Sequence, residues 1–154
     1  MTHPMRDNSQ ALLTGDMILG CGTAIFEDFT SYMASLNRVL RISENGDGKF
    51  IRLYPGHGPV VDAAEEKIRF YISHRLEREA QIIETMAKAE GQMLSSLQIT
   101  CRVYGSLPLP ILVSAHYNVK HHLSKLLNEG RARRGWLPWS FCSGTSSSTS
   151  GTDK

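Results

Sequence analysis

The chain has 154 residues, of which 41% are hydrophobic and 21% are charged, so it can form about one packed domain and is not intrinsically disordered. Its net charge of +2 is too small to indicate a nucleic-acid partner by itself. The three cysteines are far apart and form no CxxC pair, which argues against a disulfide scaffold or a zinc finger and favours a reducing compartment. No run of 18 apolar residues occurs, so we expect no membrane-spanning helix.

The first part of the chain predicts an α/β pattern. The segments "QALLTGD" and "FIRLY" are typical of short strands, each followed by a glycine-containing loop. Between them, "EDFTSYMASLNRVL" predicts an amphipathic helix, because its apolar residues recur at helical spacing. Those residues are Phe29, Tyr32, Met33, Leu36, Val39 and Leu40. Residues 62–89 have a helical composition, and we predict a kink or break near Ser73–His74.

A second, helical module is predicted from residue 91 onward. Ser95 can cap a short helix over "SSLQITCRVYG", and "SLPLP" ends that helix. A longer helix follows over "ILVSAHYNVKHHLSKLLNEG", and "RARRGWLPW" predicts a strand or hairpin. The apolar stripe of the longer helix consists of Leu112, Ala115, Val119, Leu123 and Leu126. Helix, turn, helix and basic strand are typical of a winged helix.

Composition therefore predicts three segments. Residues 1–90 form an α/β half-domain with its C-terminal helices, and residues 91–139 form a winged-helix-like domain. Residues 140–154, rich in Ser, Thr and Gly, form a disordered tail.

Asp16 and His57 are the candidate metal ligands of the first module. Each follows a predicted strand, and the ends of neighbouring strands in an α/β layer face the same crevice. Carboxylate oxygens and imidazole nitrogens are both good zinc ligands. In "PGHGP", glycines permit tight backbone turns and prolines restrict the loop, which preorganises the ring. Spacing alone is also compatible with Asp16 ending a strand and His57 being an ordinary loop histidine.

These motifs resemble the metallo-β-lactamase superfamily, in particular its endoribonucleases with a C-terminal winged helix. The segments "LLTGD", "LYPGHGPVV" and "ISHR" occur in the family's order, and the resemblance extends over residues 10–134. It implies a partial αββα fold in which Asp16 bridges two zinc ions and His57 binds one of them. It also implies a zinc-dependent hydrolase that cuts single-stranded RNA in the mitochondrial matrix or cytoplasm.

The main metal motif of that family, HxHxDH, does not occur in this sequence. The resemblance implies that this motif supplies three ligands and the aspartate that orients the attacking water, and a further histidine in a "GHT" loop is also missing. We therefore expect a truncated chain that is inactive alone. Two alternatives stay open: a winged-helix module that binds RNA or protein without catalysis, and a hydrolase completed by a second copy or another chain.

Other candidate residues carry weaker signals. Cys21 lies near the expected crevice, and we expect a small packed side chain there and not a ligand. We expect His74 to anchor a helix junction by hydrogen bonds, although a place at the edge of the site stays open. His116, His121 and His122 lack the i, i+4 spacing of a zinc pair on a helix, so we predict a solvated face.

The second module also carries a basic excess near its end. Such a group can bind RNA phosphates, whereas a short charge run is equally typical of solvated surface. The candidate phosphate-binding residues are Lys120, Lys125, Arg131, Arg133 and Arg134.

Overall fold

The computed structural model describes residues 11–22, 24–45, 50–134 and 138–141, and these residues form an α/β fold, as predicted. None of the helices in this part of the chain is long and apolar enough to cross a membrane. The elements in chain order are β1 (Ala11–Gly15), α1 (Phe29–Asn45), β2 (Arg52–Pro55), α2 (Ala64–Ala87), β3 (Leu94–Ser95), α3 (Ser96–Tyr104), α4 (Leu109–Asn128), β4 (Ala132–Arg134) and β5 (Pro138–Phe141).

The two predicted strands of the first module pair in parallel as β1 and β2, with Leu12 opposite Leu53 and Leu13 opposite Tyr54. Because side chains alternate across a strand, these two pairs face opposite sides of the sheet. Leu53 is fully buried, whereas Leu13 is 84% exposed and Tyr54 is 38% exposed. One face of the sheet therefore packs on a core, and the other face is open.

The predicted apolar stripe of α1 is confirmed. Phe29 and Leu36 are buried in the first hydrophobic core, and Val39 packs against it. The helix begins after Asp28, whose Oδ1 accepts a hydrogen bond from the Ser31 backbone N–H at 2.6 Å. Hydrogen bonding by the Ser31 side chain, followed by that of its backbone N–H, lowers the pKa of the Asp28 carboxyl. Asp28 thus satisfies a backbone donor that the first turn leaves free.

Helix α2 connects two hydrophobic cores. Ile68, near its start, belongs to the first core, and Ile82, near its end, belongs to the second. The helix continues through Ser73 and His74 without interruption, so the predicted break is wrong. The helix contains neither glycine nor proline, the residues that most often interrupt one, and its buried residues continue along its whole length.

The second module has the predicted helices and strands. Ser95 caps α3: its Oγ accepts from the Gln98 N–H at 3.1 Å, while Gln98 Oε1 accepts from the Ser95 N–H at 2.8 Å. Strands β4 and β5 form the predicted antiparallel hairpin, and β3 completes a sheet in the order β3–β5–β4. Strand β5 extends to Phe141, and residues 142–154, most of the predicted tail, lie outside the described residues.

Candidate metal centre

Asp16 and His57 lie side by side at the carboxyl ends of β1 and β2. Asp16 follows β1 directly, and His57 is in the loop that follows β2. Asp16 Oδ1 is 3.6 Å from His57 Nε2. The side chains are 73% and 78% exposed, respectively, so both polar groups are accessible to a ligand from solvent. The parallel strands thus bring together two residues that are far apart in the sequence.

The glycines of the two loops permit this arrangement. The Gly20 N–H donates to the His57 carbonyl at 3.0 Å, which ties the loop after β1 to the PGHGP loop. A Cβ on Gly20 would lie 2.1 Å from the Pro59 carbonyl oxygen, and one on Gly58 would lie 2.6 Å from the Cys21 nitrogen. Gly58 also has a φ of +88°. The two backbones therefore pack so closely that side chains at these positions would clash.

Two tyrosines anchor the loop that carries Asp16, and neither was predicted from the sequence to belong to the site. Tyr32 on α1 donates its hydroxyl to the Met17 carbonyl at 2.9 Å. Tyr71 on α2 accepts from the Leu19 N–H at 3.1 Å. Burial raises the pKa of the Tyr32 hydroxyl, so it remains a donor at neutral pH. Both residues belong to the first core, and their core positions gave no sign of this second role.

A cleft of about 230 Å³ lies beside the pair and is lined by Asp16, Leu19, Ile25 and His57. Two oxygen- and nitrogen-bearing side chains at this separation fit as partial ligands of a zinc ion. A catalytic zinc, however, has three protein ligands and a water. No group of three or more His, Cys, Asp or Glu side chains is arranged to hold a metal ion within the described ranges. Asp16 and His57 therefore remain two candidate ligands that do not by themselves make a complete metal site.

Cys21 differs from the prediction of a small packed side chain, because it is exposed. Its backbone nitrogen is the atom that packs closely on Gly58. The close contact of the two loops uses the main chain of Cys21 and leaves its thiol at the surface.

The predicted solvated histidine face of α4 is wrong for His122, which is fully buried. Its ring lies 4.3 Å from the Phe29 ring, measured between centroids, and its Nδ1 lies 3.5 Å from Glu79 Oε2. His116 and His121 are partly buried. His122 lies three residues after Val119 and four before Leu126, so it is on the apolar side of α4, where the helix packs on the second core and against the first module.

Arg75 performs the anchoring role that was predicted for its neighbour His74. Its guanidinium is buried, donates to the Ala24 carbonyl at 2.6 Å and lies 4.9 Å from the Phe26 ring centroid. This contact ties α2 to the segment before α1. In "ISHR", the arginine has a longer reach and more hydrogen-bond donors than the histidine, which suits it to this anchoring role.

Two of the five candidate phosphate-binding residues have carboxylate partners. Lys125 Nζ is 2.8 Å from Glu79 Oε1 and 2.9 Å from Glu129 Oε1. Arg131 Nη1 is 3.4 Å from Glu129 Oε2 and 3.6 Å from Glu79 Oε1. Burial by itself would raise the pKa of Glu79, but the neighbouring His122 and Lys125 lower it on balance. Glu79 is therefore an anion that holds these two cations.

The other three candidates are open to solvent. Lys120, Arg133 and Arg134 are exposed, and within the part of the chain that is described none of them pairs with a carboxylate. Arg134 lies over the Trp139 ring, 5.5 Å from its centroid.

Solved structures with the same fold belong to metallo-β-lactamase proteins. A metallo-β-lactamase family protein of Thermus thermophilus superposes with a TM-score of 0.68 at 16% identity, over 87% of this chain and 42% of that chain. A beta-lactamase domain protein of Burkholderia ambifaria gives the same TM-score at 18% identity, over 88% of this chain and 42% of that one.

Sequence relatives point to the same family. A model of the beta-lactamase associated winged helix domain matches residues 95–137. The beta-lactamase-like protein 2 homolog of Drosophila melanogaster is 41% identical over 126 residues, which are 82% of this chain and 41% of that protein. The Caenorhabditis elegans homolog is 40% identical over 121 residues, 79% of this chain and 38% of that protein.

The chain spans about two fifths of the length of the curated relatives it matches. A more distant relative, 31% identical over 64% of this chain and 31% of its own length, is named as an atrochrysone carboxyl ACP thioesterase of Claviceps purpurea. The chain is therefore a partial metallo-β-lactamase-family protein that carries the family's associated winged helix domain.

Proposed function

We propose that Asp16 and His57 are two ligands of the zinc site of a hydrolase that cuts single-stranded RNA, and that this chain does not complete the site by itself. The observation that supports the proposal is the 3.6 Å separation of Asp16 Oδ1 and His57 Nε2 at the ends of two parallel strands. The remaining ligands would come from a complementing chain or a second copy. The choice of zinc and RNA, and a mitochondrial or cytoplasmic location, rests on the family resemblance.

The residues present would hold the metal and not carry out the reaction alone. A bound zinc supplies a water of lowered pKa and polarises the phosphate. Asp16 contributes an anionic oxygen, and the exposed Nε2 of His57 contributes a nitrogen lone pair. The hydrogen bond from Gly20 to the His57 carbonyl keeps the histidine loop in place. A group that orients the attacking water is not among the residues brought together here.

A metal-binding experiment tests the proposal. We expect the isolated chain to bind zinc weakly and to lose most of it during gel filtration, because two ligands hold a metal less firmly than three. Added zinc should shift the NMR signals of the loops around residues 16 and 57, and Asp16→Asn or His57→Gln should abolish those shifts.

Glu77→Gln, an exposed position on α2, serves as the matched control and should change nothing. Unchanged zinc-induced shifts in both site variants would reject the two ligands. Zinc-dependent RNA cleavage by the chain alone, abolished by Asp16→Ala, would instead show a complete hydrolase.

The alternative function, RNA binding without catalysis, is favoured by the three exposed cations of the second module. Lys120, Arg133 and Arg134 have no carboxylate partner among the described residues, so they are free to meet phosphates. Lys125 and Arg131 contribute less, because Glu79 and Glu129 already neutralise them.

The salt dependence of RNA binding tests this alternative. We expect weak binding of single-stranded RNA that falls as salt rises, with a slope of log affinity against log salt of about −0.7 per phosphate contacted. The double variant Arg133→Ala, Arg134→Ala should make that slope shallower by about 1.4. Lys88→Ala, an exposed lysine paired with Glu84, is the control. An unchanged slope in the double variant would exclude the two arginines from the interface.

A further inference from the structure

A second cleft lies away from Asp16 and His57, between α2, α3 and α4. Its volume is about 240 Å³, enough for a small ligand and larger than a single ion requires. It is more enclosed than the cleft at the metal ligands, because three helices form its walls. Its polar lining consists of His74 and Arg78 from α2, Tyr104 from α3, and Ser114 and Asn118 from α4.

The charge of this cleft is positive. Arg78 is its one formal cation, and none of the described residues that line it is acidic. The Arg78 guanidinium lies 4.1 Å from the Tyr104 ring centroid, a cation–π contact that holds the planar group in position. Its nearest polar contacts are neutral: Gln81 Oε1 at 2.7 Å and His74 Nε2 at 3.5 Å. An arginine held flat with no carboxylate partner is suited to bind an anion.

Two polar atoms beside the cleft have no hydrogen-bond partner among the described residues. They are Arg78 Nε and Asn118 Oδ1, and Asn118 is only 4% exposed. A buried polar group without a partner is energetically unfavourable, so such groups usually have a ligand or an ordered water. Rotation of the amide exchanges its acceptor for a donor, which lets Asn118 contact either kind of ligand atom.

An aromatic surface adjoins the cleft. The Phe70 ring is 56% exposed and stacks on the His74 ring, with centroids 5.9 Å apart and planes at 21°. Phe70 lies eight residues before Arg78 on the same helix, about 12 Å along its axis, and its exposed ring provides a stacking surface for a base. Burial, followed by the charges of Arg78 and Arg75, lowers the pKa of His74, so the imidazole is neutral at pH 7.

We infer that this cleft binds the phosphate group of a nucleotide, with Arg78 as the main phosphate ligand and Asn118 as a second polar contact. The phosphate can belong to a free mononucleotide or to a single-stranded RNA. The inference does not depend on the metal ligands, since no residue is shared between the two clefts. Its failure would leave the proposed function untouched, and the reverse also holds.

Titration of the full isotope-labelled chain with uridine 5′-monophosphate, in the presence of EDTA, tests the inference. EDTA removes any metal at Asp16 and His57, so a phosphate bound there cannot produce the signal. We expect saturable changes in the amide signals of Arg78, Tyr104 and Asn118, and no such changes with uridine. A bound phosphate should also raise the pKa of the His74 imidazole, a readout that a purely structural role would not affect.

Variants locate the site. Arg78→Gln should weaken binding of the nucleotide by about tenfold or more, the usual effect of losing a hydrogen bond to a charged group. Ser114→Leu should fill the cleft and block binding while leaving every charge in place. Arg102→Gln, an exposed arginine on α3 outside the cleft, is the control and should bind like the parent chain.

Comparing the affinities of two ligands shows whether the phosphate comes from a free nucleotide or from RNA. Tighter binding of the monoester than of the dinucleotide UpU indicates a free nucleotide, whereas the reverse order indicates an RNA strand. Either order of affinities supports the inference if Arg78→Gln weakens the binding of the preferred ligand. Three results would overturn the inference: binding of uridine as strong as that of its monophosphate, binding by the folded Arg78→Gln and Ser114→Leu chains as tight as that of the parent chain, or no binding at millimolar nucleotide.

Discussion

His122 is an ionisable side chain with no exposed surface, placed where the two modules meet. From α2 it faces Glu79 and Arg75, from α4 it faces Lys125, and its ring packs against Phe29. Neither ring nitrogen has a hydrogen-bond partner among the described residues. Burial lowers the pKa of His122, and the neighbouring Glu79 opposes that shift only in part.

The lowered pKa of His122 predicts how stability changes with pH. The unfolded chain takes up a proton near pH 6.5, whereas the folded chain takes it up only at lower pH, so stability is lost as the pH falls below that value. We expect the free energy of unfolding, from urea titrations, to decrease between pH 7.5 and 5.5. One such group contributes a slope of at most about 1.4 kcal/mol per pH unit.

The variant His122→Gln should flatten this slope, because it removes a group that titrates differently in the two states. His116 also has a pKa lowered mainly by burial, so some slope should persist in the variant. Ser124→Ala, at an exposed position on the same helix without an ionisable side chain, is the control and should keep the parent slope. A slope that is equally steep in His122→Gln would show that the ring is not buried in its neutral form.

At the scale of the elements, the site is an arrangement of two loops on two strands. The loop after β1 carries Asp16, the loop after β2 carries His57, and the loops touch through glycines. Arg75 and Tyr71 of α2 attach the segment between β1 and α1 to that helix. The two candidate ligands are exposed, while the groups that hold their loops are buried.

Two glycines with similar backbones test whether this loop contact matters. Gly58 and Gly22 have φ values of +88° and +82°, but only Gly58 would place a Cβ against another chain segment. Alanine at either position should cost about 1–2 kcal/mol for the positive φ. Gly58→Ala should lose about 1–3 kcal/mol more through the clash with Cys21.

Urea unfolding of both variants would measure the difference. Gly58→Ala should also reduce the zinc-induced shifts described above, because the clash displaces the loop that carries His57. Equal losses of stability in the two variants would mean that the loops separate at little cost and that the close contact does not position the histidine.

Several elements could be predicted from local sequence, because their signals are local. The stripe of α1, the cap at Ser95 and the ends of β1 and β2 depend on residues within a few positions of one another. Pairing of Asp16 with His57 followed from the rule that parallel strands end at one edge. The continuity of α2 could also have been predicted, since the helix has no glycine or proline.

Other features depend on contacts between distant segments. The burial of His122 requires Phe29 from another helix, and the ion pair of Lys125 with Glu79 joins residues 46 positions apart. The spacing of His122 from Val119 and Leu126 indicates that it faces the interior, but no pattern within α4 shows that Phe29 covers it. The sequence therefore predicted five basic residues available to phosphates near the end of the second module, whereas two of them are paired with carboxylates in the structure.

At the scale of the whole molecule, the two cores share helix α2 but are enclosed to different degrees. The first core lies under a sheet of two strands, whose other face carries the exposed Leu13 and Tyr54. The outer edge of β1 has no strand partner among the described residues. The second core is surrounded by α2, α3, α4 and the three-stranded sheet.

This difference predicts uneven local stability, which amide hydrogen exchange can measure. Backbone amides in a sheet with an open edge and one open face can exchange after small local openings. Amides around an enclosed core exchange only after larger openings. We expect amides of β1 and β2 to exchange about tenfold or more faster than those in the second half of α2 and in α4. If a complementing chain or a second copy covers the Leu13–Tyr54 face, its addition should slow exchange in the two strands and leave α4 unchanged. Uniform protection across both cores in the isolated chain would contradict this argument, because it would show that the open face and edge do not weaken the first core.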